Sequence, residues 1–160
     1  MTPTAIGNPF SIEAKQALNE ILRRISFRAE VFYRGQLCDS WALDTSGTGN
    51  VNFHVVCHGE CWLHLPNSQF VTKLSGGDIV VFPHDAAHVI GSSEASPPTF
   101  GIQSITREVP LERTNPGTAL ICGFLEIDHS VRRLLMGALP DFIVIAEHSD
   151  ESKNAVRTLL

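Results

Sequence analysis

Basic residues are scarce in this sequence, and no block of them could hold a phosphate backbone. Only 12 of the 160 residues are Lys or Arg, against 17 Asp or Glu, which gives a net charge of −5. An acidic domain without a basic patch is poorly suited to bind nucleic acid by itself. If the protein contacts DNA, we therefore expect another segment to supply the contact.

Long apolar runs and secretion signals are also missing. No apolar run approaches the roughly 18 residues that a membrane-spanning helix needs. The first ten residues, MTPTAIGNPF, lack the charged and apolar regions of a secretory signal. The 4 cysteines are too few to indicate a disulfide scaffold in a chain of 160 residues. We therefore expect reduced thiols, a cytoplasmic location and no membrane partner.

Short motifs of the common enzyme classes are absent as well. The sequence contains no GxSxG elbow, no glycine-rich phosphate loop and no dinucleotide-binding fingerprint. Its hydrophobic fraction of 43% and charged fraction of 18% are typical of a globular domain. A chain of 160 residues is long enough for one domain with a substantial core.

What the sequence does contain is a series of short strand patterns between turn residues. A helical apolar pattern covers residues 11–25 and follows a lead-in without a pattern, so residues 1–26 form one predicted unit. From residue 27, strand patterns alternate with turn signals about every ten residues, beginning with the predicted strands Glu30–Arg34 and Ser40–Leu43. Gly59 is a predicted hairpin turn. No helical pattern separates the strands up to residue 90, which argues against βαβ units. The pattern favours a β-sandwich or a small barrel, whose lumen can hold one small ligand.

Histidine is frequent, and the positions of three histidines are informative. His84 and His88 follow the apolar run Ile79–Phe82 in GDIVVFPHDAAH, a buried strand that leads into a proline-turned loop. His54 lies in the predicted strand Val51–Val56, on the same face as Asn52. Both faces of that strand carry apolar residues, so alternation alone does not decide which face points inward.

A metal site is one interpretation of these residues. Two or three imidazoles and one thiolate, brought together across a barrel, would suit zinc or a similar divalent ion. The candidate ligands are His54, His84, His88 and Cys122. Ligands that are distant in sequence have no spacing signature, so a structural role for each histidine stays open. Trp62 is interpreted as a core or cavity-wall residue, and a cavity wall of this kind would favour a flat or apolar ligand.

Several blocks of the sequence together resemble a known family. The stretch Gly77–His88 resembles the second cupin motif, a glycine, five residues, a proline and a histidine after a short turn, with Asp85 at the position of the turn glycine. The blocks FYRGQLC, FHVVCHGECWL and LICGFLEID occur before and after it in the order found in one group of cupins. Over residues 10–145 the chain resembles the cupin-type N-terminal ligand-binding domain of AraC-type transcription regulators.

The resemblance implies a mainly β fold. It would be a cupin barrel, the double-stranded β-helix or jelly roll, over residues 27–128, with an N-terminal helix before it and short C-terminal helices in residues 129–160. The implied function is to sense a small-molecule effector, with His54, Trp62 and His88 as ligand-binding residues. In such regulators a separate C-terminal domain binds DNA and the helices between the two domains usually dimerise. We therefore expect DNA contact through a domain outside these residues, and a homodimer.

The sequence also departs from the metal-dependent cupins. Their first motif supplies a paired HxH and a glutamate, and aligning Val55–Gly59 with the end of that motif places Asn52 at the glutamate and residues 46–48 at the histidines. The loss of these three ligands favours a non-catalytic sensor over the alternative, a metal-dependent oxygenase or isomerase. A metal site built from other residues than the usual cupin ligands is compatible with either function, the sensor or the enzyme. A third alternative, a dimerisation module, depends on the apolar stripe of residues 11–25.

Overall fold

A computed structural model of the chain describes residues 26–66, 69–95 and 104–146, together with positions 16, 20 and 23. These three positions are helical, as predicted, and the remainder of the predicted helix over residues 11–25 lies outside the described residues. The predicted C-terminal helical turns from residue 154 onward also lie outside them. No helix in the described part of the chain is long and apolar enough to cross a membrane.

The described ranges form nine strands and one helix. In chain order they are β1 (Phe27–Asp44), β2 (Val51–His58), β3 (Glu60–Leu65), β4 (Phe70–Ser75), β5 (Ile79–Phe82), β6 (Val89–Gly91), β7 (Ser104–Val109), β8 (Thr118–Ile127), α1 (His129–Met136) and β9 (Ile143–Ile145). This confirms the predicted mainly β fold with minor helices. The strand β5 has the bounds that its apolar run predicted.

The strands form one antiparallel sheet that curls around the core. Their order is β4-β3-β6-β1-β8-β2-β5-β9, and β7 pairs with the other edge of β1. The first half of β1 pairs with β8, from Phe27 opposite Ile127, while its end pairs with β6, with Ala42 opposite Gly91. One long strand therefore runs through both halves of the sheet, as a jelly roll requires. The buried core between the halves is mostly aliphatic and includes Leu37, Leu63, Phe82 and Leu120.

Three details differ from the sequence-based expectation. Two short strands were expected between residues 30 and 43, but β1 is continuous because two register shifts let it bend without ending. The predicted hairpin at Gly59 is wrong: β2 pairs with β5 and β8, whereas β3 pairs with β4 and β6. The sheet also extends past residue 128, because β9 pairs with β5. The segment that follows the predicted barrel is therefore helical only in part.

Gly59 instead lets the chain cross between the two halves of the sheet. Its φ is +82°, and a Cβ added there would lie 2.4 Å from the backbone oxygen of Gly117. Replacing Gly59 with alanine should therefore lower the free energy of unfolding by about 2–3 kcal/mol, from the left-handed backbone and the clash together. Chemical denaturation measures this loss.

Gly47 offers a matched control for this prediction. It has nearly the same φ, +84°, but a Cβ there would meet nothing within 4 Å. Gly47→Ala should lower the free energy of unfolding by about 1 kcal/mol, because only the left-handed backbone conformation is strained and no clash is added. Equal losses for the two variants would show that the close approach of Gly59 to Gly117 does not matter.

Candidate functional site

Three polar side chains meet inside the core. His54 on β2 is 1% exposed, His88 before β6 is 0% exposed, and Thr45 after β1 is 8% exposed. The Oγ1 of Thr45 lies 3.0 Å from the Nε2 of His54 and 3.0 Å from the Nε2 of His88. The two Nε2 atoms are 2.9 Å apart. We call this group the Thr45–His54–His88 cluster.

Strand alternation and a flat aromatic ring position the two imidazoles. Asn52, His54 and Val56 all point inward from β2, which decides the question that the sequence left open. The ring of Phe82, at the end of β5, stacks on the imidazole of His88 with centroids 3.6 Å apart and planes within 4°. The imidazole of His54 meets the same phenyl ring edge-on at 5.9 Å. Phe82 therefore holds both imidazoles in place.

The hydrogen bonds of the cluster assign the roles of its ring nitrogens. The Nδ1–H of His88 donates to the carbonyl oxygen of Ala86 at 2.7 Å, which leaves the Nε2 of a neutral His88 as an acceptor. The Nε2–H tautomer of His54 or the hydroxyl of Thr45 can donate to it. In that tautomer the Nδ1 of His54 is an acceptor, and it is buried without a hydrogen-bond partner among the described residues. The cluster therefore has an unused acceptor in the core.

Both imidazoles are held in the neutral form. Burial lowers the pKa of His54 well below its usual value, and the neighbouring His88 lowers it further. Burial also lowers the pKa of His88, although its bond to Ala86 and the carboxylates of Asp44 and Asp85 act in the opposite direction. At neutral pH the cluster therefore carries no charge and acts through hydrogen bonds.

A carboxylate outside the cluster fixes the two loops that form it. Asp85 has a φ of +54°, the conformation expected at the turn glycine of the cupin motif. Its carboxylate accepts from the backbone N–H of Gly47 at 3.1 Å, from that of Gly49 at 2.6 Å and from the side-chain amide of Asn52 at 2.6 Å. These bonds join loop 83–88 to the loop that carries Thr45.

The structure separates some of the predicted site residues. His84 is exposed, and its Nε2–H donates to the carbonyl oxygen of Leu139 at 2.8 Å, away from the cluster. Trp62 is half-buried on the face of β3 opposite to Cys61 and Leu63, because neighbouring strand residues alternate in direction. The predicted ligand-binding set of His54, Trp62 and His88 is thus brought together only at its two histidines.

The predicted metal set is also brought together only in part. Cys122 is the cross-strand partner of His54, and burial raises the pKa of its thiol to about 12, so the thiol is protonated. The described residues contain no group of three or more His, Cys, Asp or Glu that could hold a metal ion. Two imidazoles and a hydroxyl fall short of the four ligands that zinc usually takes. Zinc at His54, His84, His88 and Cys122 stays a prediction, and we derive no chemistry from it.

Thr45, Asn52 and Asp85 take part in the site, although none of them was among the predicted ligand-binding or metal-binding residues. Asn52 was open to prediction, because it shares a strand face with His54 and polar residues on a buried face are unusual. Asp85 stands at a glycine position of a turn, which was a further signal. Thr45 lies in a loop without any periodic pattern, so nothing in the sequence placed its hydroxyl beside the histidines.

No curated protein matches the chain in sequence. Solved structures of ToxT from Vibrio cholerae O395 are similar, with a TM-score of 0.45 and 12% identity, over 84% of this chain and 45% of that one. ToxT from Vibrio cholerae strain SCE256 bound to an unsaturated fatty acid gives a TM-score of 0.45 and 14% identity, over 82% of this chain and 44% of that one. The chain thus spans less than half the length of these relatives.

The family model Cupin_6, described as cupin, matches residues 16–160. The match includes every strand described above and all members of the Thr45–His54–His88 cluster. The chain therefore belongs to the Cupin_6 family of cupins, the AraC-type cupins that the order of its sequence blocks predicted.

Proposed function

We propose that this chain is the effector-sensing domain of an AraC-type transcription regulator. In this proposal a small molecule binds at the Thr45–His54–His88 cluster, and the regulator contacts DNA through a separate helix-turn-helix domain and works as a homodimer in the cytoplasm. Family membership supports the type of domain. The position of the binding site depends on the cluster itself.

The observation that carries the proposal is the buried acceptor on His54. Polar atoms in protein cores are nearly always hydrogen-bonded, because an unpaired buried group costs about 1–3 kcal/mol. The Nδ1 of His54 lacks such a partner among the described residues. A ligand that brings a hydroxyl or N–H donor to this atom would satisfy it. The apolar side chains around the cluster would favour a largely uncharged molecule.

A sensor also fits the chemistry of the cluster better than an enzyme does. The two imidazoles are neutral and contact a hydroxyl, and the nearby carboxylate of Asp85 accepts hydrogen bonds from loop amides and from Asn52. The glutamate and paired histidines of metal-dependent cupins are replaced in the sequence. We therefore propose ligand binding without turnover.

The surrounding contacts offer a route from the cluster to the C-terminal helix. The cluster joins loop 44–50 to loop 83–88, and both loops contact the region of α1. The guanidinium of Arg132 donates to the carbonyl oxygen of Gly49 at 2.5 Å, and His84 donates to Leu139 just beyond α1. A ligand that shifts either loop would therefore change how α1 is held, and it can act only through its different affinity for the two arrangements.

This proposal can be tested by measuring the melting temperature of the purified chain with each compound of a metabolite panel. We expect at least one uncharged or weakly polar compound to stabilise the chain, by about 2.7 kcal/mol at 100 times its Kd. The variants His54→Asn and Thr45→Val should abolish most of this stabilisation, because each removes part of the cluster. For each variant, the stabilisation is the rise in melting temperature above the value of the same variant without ligand.

His84→Asn serves as the matched control, since it changes a histidine of loop 83–88 that lies outside the cluster. It should leave the stabilisation intact. A panel without any saturable ligand would contradict the proposed sensor function. A ligand that still binds both cluster variants would show that the sensing site is elsewhere.

A further inference from the structure

A recess lies on the surface beside α1. It has a volume of about 380 Å³ and is lined by His84, His129, Arg132, Arg133 and Gly137. Its walls come from loop 83–88, from α1 and from the turn after α1. Recesses that hold small molecules usually start at about 300 Å³, so the size suits a small organic ligand. We call this recess the α1 pocket.

The charge of the α1 pocket is opposite to that of the chain. Four of its five lining residues are Arg or His and none is Asp or Glu, whereas the whole chain carries a net charge of −5. Asp85 adjoins His84 in sequence, but both of its carboxylate oxygens accept hydrogen bonds from loop 47–49 and Asn52. The two guanidinium groups give this concave surface a positive charge, which concentrates the field and attracts anions.

The walls of the α1 pocket are held by contacts that leave most guanidinium N–H groups available. His84 donates from Nε2 to Leu139, and one Nη2–H of Arg132 donates to Gly49. Within the described ranges the ion pairs involve Arg28, Lys73 and Arg107, and neither arginine of the pocket. A guanidinium has five N–H donors in a planar fork that matches an oxyanion. The pocket is therefore formed in advance, and neither of its guanidinium groups makes an ion pair within the described ranges.

We propose that the α1 pocket binds a small organic molecule through a carboxylate or phosphate group. The oxyanion would lie between the guanidinium groups of Arg132 and Arg133, with the imidazole of His129 beside it. His84, whose Nε2–H donates to Leu139, forms part of the wall. The rest of the pocket has room for a few further heavy atoms of the ligand. This inference depends on the pocket alone and is independent of the ligand site proposed in the core.

Calorimetric titration of the full 160-residue chain with two probes tests this site. The probes are succinate and glycerol 3-phosphate at constant ionic strength, with glycerol as the uncharged reference. We expect saturable one-to-one binding of at least one of the two anions and none of glycerol. The probe that binds identifies the oxyanion as a carboxylate or as a phosphate.

Arg133→Gln is the test variant, because Arg133 lines the pocket and makes no ion pair within the described ranges. It should weaken binding of the anion about tenfold, the effect of one charge-assisted contact. Arg34→Gln removes the same charge from an exposed position on β1 and should leave the affinity unchanged. Failure of both anions to bind the native chain, or equal weakening by the two variants, would overturn the inference. Neither outcome would affect ligand binding at the core cluster.

Discussion

Replacing Phe82 with alanine should lower the free energy of unfolding by about 3–5 kcal/mol. Phe82 is 0% exposed and belongs to the central core cluster, so the truncation leaves a cavity that neighbouring strands cannot fill completely. It also removes the ring on which His88 stacks and which His54 meets edge-on. The variant therefore loses apolar burial and the support of both imidazoles. Urea denaturation, followed by fluorescence, measures the change.

Two control variants separate these contributions. Phe82→Leu keeps most of the apolar volume but removes the flat ring, and should cost about 1–1.5 kcal/mol. Phe53→Ala removes the same side chain from the opposite, half-buried face of β2 and should cost less than Phe82→Ala. If Phe82→Ala lowered the free energy of unfolding by less than about 1 kcal/mol, the core around the cluster would not be packed as described.

The sequence predicted Phe82 and its surroundings well because the relevant signal is local. An apolar run bounded by Gly77 and Pro83 specifies a short buried strand, and β5 has the expected bounds, Ile79–Phe82. Alternation along β2 placed Asn52, His54 and Val56 on one face, and only the fold could show that this face points inward. Local periodicity thus predicts which residues share a face of a strand. Which of the two faces points inward depends on how distant strands pair.

The separation of His84 from His88 could not be predicted in the same way. The two histidines are four residues apart in a loop, where side-chain direction depends on the backbone conformation of each residue rather than on a period. The positive φ of Asp85 turns the chain between them, so that His88 enters the core while His84 bonds to Leu139 at the surface. Gly59 was misread for a related reason: a turn signal shows that a strand ends, but not which strand pairs next.

Acid should destabilise the chain more steeply than its exposed groups alone would, because both histidines of the cluster are kept neutral by burial. The pKa of each is lowered in the folded state, by burial above all, while the unfolded chain binds protons near the ordinary value of about 6.5. Their contribution to stability is therefore complete above pH ~6.5 and is lost as the pH falls below it, until the lowered folded pKa values are reached. Each histidine adds up to about 1.4 kcal/mol per pH unit over the range in which it is neutral in the folded chain and protonated in the unfolded one. The larger part is expected from His54, whose pKa is lowered further.

The slope of the free energy of unfolding against pH separates this effect from packing losses, because a packing loss lowers the stability at every pH alike. Urea denaturation at several pH values between about 6.5 and 5 should show that His54→Asn reduces the slope by about 1.4 kcal/mol per pH unit, since one titrating group is gone. His84→Asn changes a histidine outside the cluster and should keep the steeper slope. Carboxylates also destabilise the fold in acid, but they protonate mainly at lower pH and are the same in all three chains. If His54→Asn and the unmodified chain had equal slopes, the imidazole of His54 would already be protonated in the folded state. The neutral, hydrogen-bonding cluster on which the proposed ligand site depends would then be wrong.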